Sequence, residues 1–148
     1  MKEKLKEAIE LFEEVMIYGT EHVIKSVDVD IWNEYSPEQI QVLKILSTQG
    51  PLSNGKLAEI QGVHKSAVST RLRKLEEKGL VSSSKDLNDQ RTKVIELTSS
   101  GAEILKQSDE AVYESIEKLF KDQIIEEEID TFVKTFRKLK DILQMKGM

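Results

Sequence analysis

Val63-His64-Lys65-Ser66-Ala67-Val68-Ser69-Thr70-Arg71-Leu72-Arg73-Lys74-Leu75 lies inside the longer segment, Leu52 to Leu97, around which the chain is organised. Two short helical patterns meet there at Gly62. The first, Ser53 to Gln61, has Leu57, Ala58 and Ile60 as its apolar set. The second, from about Lys65 to Lys78, places Val68, Leu72 and Leu75 on one helical face. At about 100° per residue, Ser66, Thr70 and Arg73 point the opposite way, flanked by Ser69 and Lys74. Short hydroxyls allow close approach to a DNA major groove, and an Arg there can reach guanine O6 and N7. The plainer alternative is a solvated face of a helical hairpin.

The segment that follows favours the groove. Gly79 stands where a helix end calls for a left-handed residue. Leu80 to Lys85 and Thr92 to Leu97 then read as two short strands. Between them Asp86 to Arg91 forms a polar, turn-prone tip with one Arg. Helix, turn, helix and β-hairpin in that order predict a winged helix.

On these residues the chain resembles the MarR family of bacterial transcriptional regulators. The resemblance is carried by Leu57-Ala58, by Lys65 to Leu72, by Leu75-Glu76-Glu77-Lys78-Gly79-Leu80-Val81, and by Leu97-Thr98 with Gly101. It is most specific in the wing, where the family pattern is Asp-x-Arg-Asp-x-Arg and this chain has Asp86, Asn88, Asp89 and Arg91. The first Arg is Asn88 here. His64 stands where relatives often carry a better N-cap such as Asp or Ser. The resemblance implies a dimer on DNA. It also implies a crevice for small aromatic compounds between dimerisation helices and DNA module, which Tyr18, His22, Trp32 and Tyr35 could line. Peroxide sensing through a reactive Cys, known in some relatives, is closed to a chain with no cysteine.

Charge is distributed to match. The chain is net −5 overall, yet residues 53–93 carry 9 basic and 5 acidic side chains, between acidic flanks of net −5 and −4. A basic middle on an acidic scaffold suits a module that faces phosphates. A length of 148 residues favours one domain with a sizeable core. No apolar run approaches the ~20 residues of a membrane span and no signal-peptide pattern opens the chain, so a cytoplasmic protein without membrane contact is expected.

The flanks read as helices. From Lys4 to about Val27, Leu5, Ile9, Phe12, Met16, Gly19 and Val23 recur at spacings of 4, 3, 4, 3 and 4, a seam suited to helix-on-helix packing. A connector, Asp28 to Tyr35, leads to Ser36-Pro37-Glu38-Gln39, an N-cap signature. The helix it opens buries Ile40, Leu43, Ile45 and Leu46 and ends at Gln49-Gly50-Pro51. After the wing, Thr98 caps a helix to about Asp122, and a last helix runs from about Glu126 to Met145. That helix carries Phe132, Phe136, Leu139 and Leu143. These terminal seams exceed what one small winged helix can cover, and a second copy is the simplest partner. The alternative is packing within one larger monomer core.

Catalytic patterns are lacking. His22 and His64 have no metal-ligand spacing, and no zinc-protease, nucleophile-elbow or phosphate-loop motif occurs. Neither enzyme activity, metal nor cofactor is expected. The expected fold is mainly α with a small β-hairpin wing: one domain over 1–148, its winged helix-turn-helix at 36–97, its dimerisation helices at 1–35 and 98–148. The expected function is sequence-specific regulation of transcription, as a repressor, by a homodimer on a pseudo-palindromic operator in double-stranded DNA, with release by a small aromatic ligand. Ser53, Asn54, Lys65, Ser66, Ser69, Thr70, Arg71, Arg73, Lys74 and Arg91 are the expected DNA contacts. Leu5, Ile9, Phe12, Phe132, Phe136, Leu139 and Leu143 are the expected dimer contacts. The competing reading is a winged-helix module that binds protein and never reads DNA.

Overall fold

The computed structural model describes residues 1–89 and 91–146, the last of these by its backbone alone. Gln90, part of the expected wing tip, lies outside the described residues. The elements are α1 (Lys2–Ser26), α2 (Asp30–Glu34), α3 (Pro37–Gln49), β1 (Leu52–Ser53), α4 (Asn54–Gln61), α5 (Lys65–Glu77), β2 (Val81–Lys85), β3 (Lys93–Leu97), α6 (Ser99–Phe120) and α7 (Glu126–Lys146). Mainly α with a β wing is therefore the observed class. The chain divides into two units, Met1–Tyr113 and Glu114–Met148. No helix among the described residues is long and apolar enough to cross a membrane.

Within the first unit, local chemistry sets the helix ends. Ser36 Oγ accepts the Gln39 backbone N–H at 3.1 Å, and Gln39 Oε1 accepts the Ser36 N–H at 2.9 Å, closing a capping box with Pro37 at the first helical position. At the far end of α5, Gly79 has φ +72, and its N–H bonds Glu76 O while the Leu80 N–H bonds Leu75 O. These are the two bonds of a Schellman stop, whose left-handed residue favours glycine. Leu75 and Leu80 are buried beside it. Thr98 Oγ1 accepts the Gly101 N–H at 3.1 Å and donates to Gly79 O at 2.6 Å, so the cap of α6 is tied to the end of α5.

Tyr35, Val42, Leu43, Leu57, Val68, Leu72, Leu75, Leu80, Val81, Ile95 and Leu105 belong to one buried cluster. Leu43, Leu57, Leu75, Val42 and Val68 are wholly enclosed, each side chain stabilising by roughly 1.5–3 kcal/mol relative to exposure. Gly101 matters here by its size. A Cβ on it would lie 2.7 Å from Leu97 Cδ1 and clash with the Leu80 carbonyl oxygen.

Four expectations need correction. The connector from Asp28 to Tyr35 contains α2, a five-residue helix. A third strand, β1, pairs Leu52 with Ile95 and Ser53 with Val94, so β3 is the centre of a sheet ordered β1-β3-β2. Two residues are too short for an alternation pattern to be visible in sequence. Ile60, grouped with Leu57 and Ala58 in the apolar set of α4, is 37% exposed while those two are buried. In α3, Val42 is fully buried while Ile40 is only partly so, because that helix is packed from more than one side.

α1 and α7 are amphipathic helices with open apolar faces. None of the residues of α1 is buried, and Leu5, Ile9 and Phe12 are each about half exposed. In the second unit, Phe132, Phe136, Leu139 and Leu143 are exposed on α7, with the Phe132 and Phe136 rings stacked 4.1 Å apart.

Candidate nucleic-acid interface

α5 is pinned by its inner face and free on its outer one. Val68, Leu72 and Leu75 are buried, while Ser66, Ser69, Thr70 and Arg73 are exposed together with Lys65 at the helix start. His64 precedes the helix and makes no side-chain cap bond. Ser53 caps α4, its Oγ accepting the Lys56 N–H at 3.1 Å. Asn54 then reaches from α4 to α5, where its Nδ2 donates to Ser69 Oγ at 2.8 Å.

Arg71 and Lys74 stand apart from the other expected contacts. On the helical wheel Arg71 lies about 140° from Ser66, toward the buried side. Its Nη1 donates to Gln61 Oε1 at 2.7 Å, while Gln61 Nε2 donates to Gln41 Oε1 at 2.8 Å and Gln39 Nε2 to Arg71 O at 3.4 Å. This polar network binds α3, α4 and α5 together. The Lys74 ammonium donates to the Glu34 carbonyl and sits 4.9 Å above the Tyr35 ring, and Lys78 pairs with the Glu34 carboxylate at 3.3 Å. Two of the five cations expected on DNA, Arg71 and Lys74, thus have partners within the chain. The wheel itself carried the warning for Arg71. For Lys74 no local signal existed, since its partner is 40 residues away.

The wing is stiffened from within. Asp86 Oδ1 accepts the Asn88 N–H at 2.8 Å; Asp89 Oδ1 accepts the Arg91 N–H at 3.0 Å and Oδ2 the Thr92 hydroxyl at 3.1 Å. The Arg91 side chain is exposed, and Leu87 is 100% exposed at the tip. At the end of the β2–β3 ladder nearest the wing tip, Lys85 stands directly opposite Lys93. Like charges so placed destabilise a free hairpin, and an anion lying over them relieves the repulsion. Lys85, Lys93 and Arg91 are all exposed, so the hairpin carries three cations on its surface.

The four residues expected around a ligand have different surroundings. Tyr35 is 5% exposed, a member of the core, with its phenol pKa raised mainly by burial. Trp32 is half-buried, and its Nε1 donates to the buried Ser108 hydroxyl at 2.9 Å. His22 is half-buried, its Nδ1 3.4 Å from Ser26 Oγ, and Tyr18 is 66% exposed. Ser108, Glu34 and Gln61 were not singled out in the sequence, because polar residues on helices carry no mark of a partner distant in the chain. Among the described residues no group of His, Cys, Asp and Glu could hold a metal ion.

A helix presenting small hydroxyls and one free guanidinium, beside a basic hairpin, defines a winged helix-turn-helix DNA-binding protein. The comparisons with known proteins agree. The MarR family model matches residues 35–93. The chain is 43% identical over 141 residues to the HTH-type transcriptional regulator YdgG of Bacillus subtilis (strain 168), covering 94% of this chain and 92% of that one. It is 45% identical over 82 residues to the HTH-type transcriptional regulator TcaR of Staphylococcus aureus (strain Newman), over 53% of this chain and 54% of that one. In fold it is similar to a MarR family protein from Bacillus stearothermophilus, with TM-score 0.76 at 20% identity over 97% of this chain and 98% of that one. It is also similar to wild-type MarR from E. coli in its apo form, with TM-score 0.69 at 21% identity over 88% and 93%. The chain belongs to the MarR family of transcriptional regulators.

Proposed function

We propose that two copies of this chain bind a pseudo-palindromic operator and repress transcription from it. The observation that carries the reading is the outer face of α5, Ser66, Ser69, Thr70 and Arg73, exposed above a fully buried Val68 and Leu75. Each copy inserts α5 into a major groove, the two half-sites lying one helical turn, ~34–36 Å, apart. Lys65 and Ser53 at the helix starts meet phosphates, Asn54 acts through the Ser69 hydroxyl it holds, and Arg91 on the wing enters the flanking minor groove. Arg71 and Lys74 support the frame instead of the contact.

The division of labour follows the open apolar faces. Residues 36–97 read DNA, and residues 1–35 with 98–148 pair the copies, the whole acting as one MarR-type domain. Leu5, Ile9 and Phe12 on α1, and Phe132, Phe136, Leu139 and Leu143 on α7, support this because side chains of that size left half exposed mark an association surface. A small aromatic ligand near Trp32, Tyr18 and His22 releases the dimer from DNA. The role is binding, not catalysis, and its place is the cytoplasm, where the DNA is.

The test is a gel shift against the gene's own upstream region, paired with sedimentation. Retention of operator over scrambled duplex, falling steeply with salt, is expected. Phe132→Asp or Leu139→Asp places a charge in the apolar seam, so monomer with lost operator affinity is expected. Salt-insensitive or absent DNA binding would return the chain to the protein-interaction class.

A further inference from the structure

We propose that neighbouring hydroxyls on α5 present opposite hydrogen-bond polarity to the operator, Ser69 a donor and Thr70 an acceptor, and that Asn54 sets the polarity of Ser69. This rests on the reading that α5 enters the major groove.

A hydroxyl has one hydrogen to donate and two lone pairs to accept with. In Thr70 the hydrogen is taken: Oγ1 donates to the Ser66 carbonyl at 3.0 Å, one helical turn back. Only lone pairs remain to face outward. In Ser69 the reverse holds, since Asn54 Nδ2 donates to Oγ at 2.8 Å and occupies a lone pair. No bond from the Ser69 hydroxyl to a carbonyl one turn back is present among the described residues, so its hydrogen is left to face the groove.

The orientation of the Asn54 amide decides the second half of the argument. Its Oδ1 is buried without a partner. Turned over, the amide would place its NH2 in that position instead, and an orphaned buried donor is a rarer defect than an under-satisfied carbonyl oxygen. Asn54 is also held firmly at the first position of α4, with Ser53 before it both capping the helix and paired to Val94 in the sheet. Asn54 is a positioning residue here, acting on DNA through Ser69.

The two polarities select different base edges. A Ser69 donor fits guanine O6 or N7, adenine N7, or thymine O4. A Thr70 acceptor fits cytosine N4 or adenine N6. One position of each half-site is then chosen for an acceptor and a neighbouring one for a donor.

The experiment is selection of duplexes from a random pool by the full-length chain and its variants. Ser69→Ala and Thr70→Val each flatten base preference at one position, identifying it. Each preference is worth about five-fold, the scale of a single hydrogen bond. Asn54→Asp is nearly isosteric but can only accept, which turns the Ser69 hydrogen inward. At the Ser69 position the preferred base should change from an acceptor edge to a donor edge, while the Thr70 position stays as it was. Asn54→Ala, which frees the Ser69 hydroxyl to rotate, should broaden that position without inverting it. If Asn54→Asp and Asn54→Ala both select the wild-type base there, the polarity assignment is overturned, although α5 still reads DNA. If the wild-type chain enriches no sequence, the groove reading fails and takes this inference with it.

Discussion

Asp89 holds Arg91 by its backbone: Oδ1 accepts the Arg91 amide N–H at 3.0 Å, while the Arg91 side chain extends into solvent. The carboxylate that shapes the wing therefore leaves the guanidinium available. Arg91→Ala should weaken operator binding substantially and leave the melting temperature within about 1 °C, as for exposed substitutions of near-zero stability effect. Asp89→Asn, which keeps an acceptor for the turn, should bind nearly as wild type. A fluorescence-anisotropy titration of both variants checks this. Arg91→Ala binding like wild type would mean that the wing does not touch DNA.

The facing lysines at the tip end of the hairpin ladder predict a trade between stability and affinity. Lys85→Gln removes the repulsion with Lys93 and should stabilise the free protein by roughly 0.2–1 kcal/mol. The same change should weaken binding to all duplexes alike and reduce the salt slope by about one counterion. Urea unfolding and salt-dependent binding measure the two sides. A variant that loses stability would show that the pair is not repulsive.

Arg73 and Lys74 are adjacent in sequence and divided in role. Arg73→Ala should lower operator preference by ~1–3 kcal/mol if it contacts a base edge, with stability unchanged. Lys74→Met removes the bond to the Glu34 carbonyl and the cation above Tyr35. It should cost about 0.5–2 kcal/mol of stability, the range of an exposed-to-partly desolvated cation–π contact, and leave the salt slope alone. A flattened slope for Lys74→Met would return that ammonium to the DNA face.

Gly101 predicts the largest loss. An alanine Cβ there meets the Leu80 carbonyl and Leu97 Cδ1, so α6 must move away from the end of α5. Overpacking of this kind typically costs 1–3 kcal/mol, and because the obstacle is backbone the upper end, about 3 kcal/mol, is expected. Thermal unfolding followed by circular dichroism checks it. An unshifted midpoint would mean that α6 is not docked as described.

Two groups give the stability an alkaline edge. Lys44 donates to Asp109 at 3.0 Å, and that bond is the main cause of its raised pKa; the Tyr35 phenol is raised first by burial and then by Glu34. Both folded-state values lie above the unfolded ones. Their stabilisation is therefore complete below the ordinary values near 10 and is lost as pH rises through the folded values. Lys44 is half exposed, so its pair is worth only ~0–1 kcal/mol. Denaturant midpoints above pH 10 should fall less steeply in Tyr35→Phe than in wild type. Equal slopes would sink the assignment to Tyr35.

Much of this molecule is determined by interactions within a few residues, and those are what a sequence displays. The Ser36 capping box, the Gly79 stop, the Thr98 cap and the apolar stripe of α5 all join residues within about one to two helical turns, so spacing alone reveals them. The alternation of β3 and the turn residues between Lys85 and Lys93 similarly announced the wing, and with it the order of elements that marks the family. What only the tertiary structure decided is which polar groups are free. Arg71, Lys74 and Trp32 find partners 10, 40 and 76 residues away, and Asn54 finds Ser69 across the turn between two helices. A side chain's chemistry is written in the sequence, but whether that chemistry faces DNA depends on contacts made when distant segments pack, and no local period encodes them.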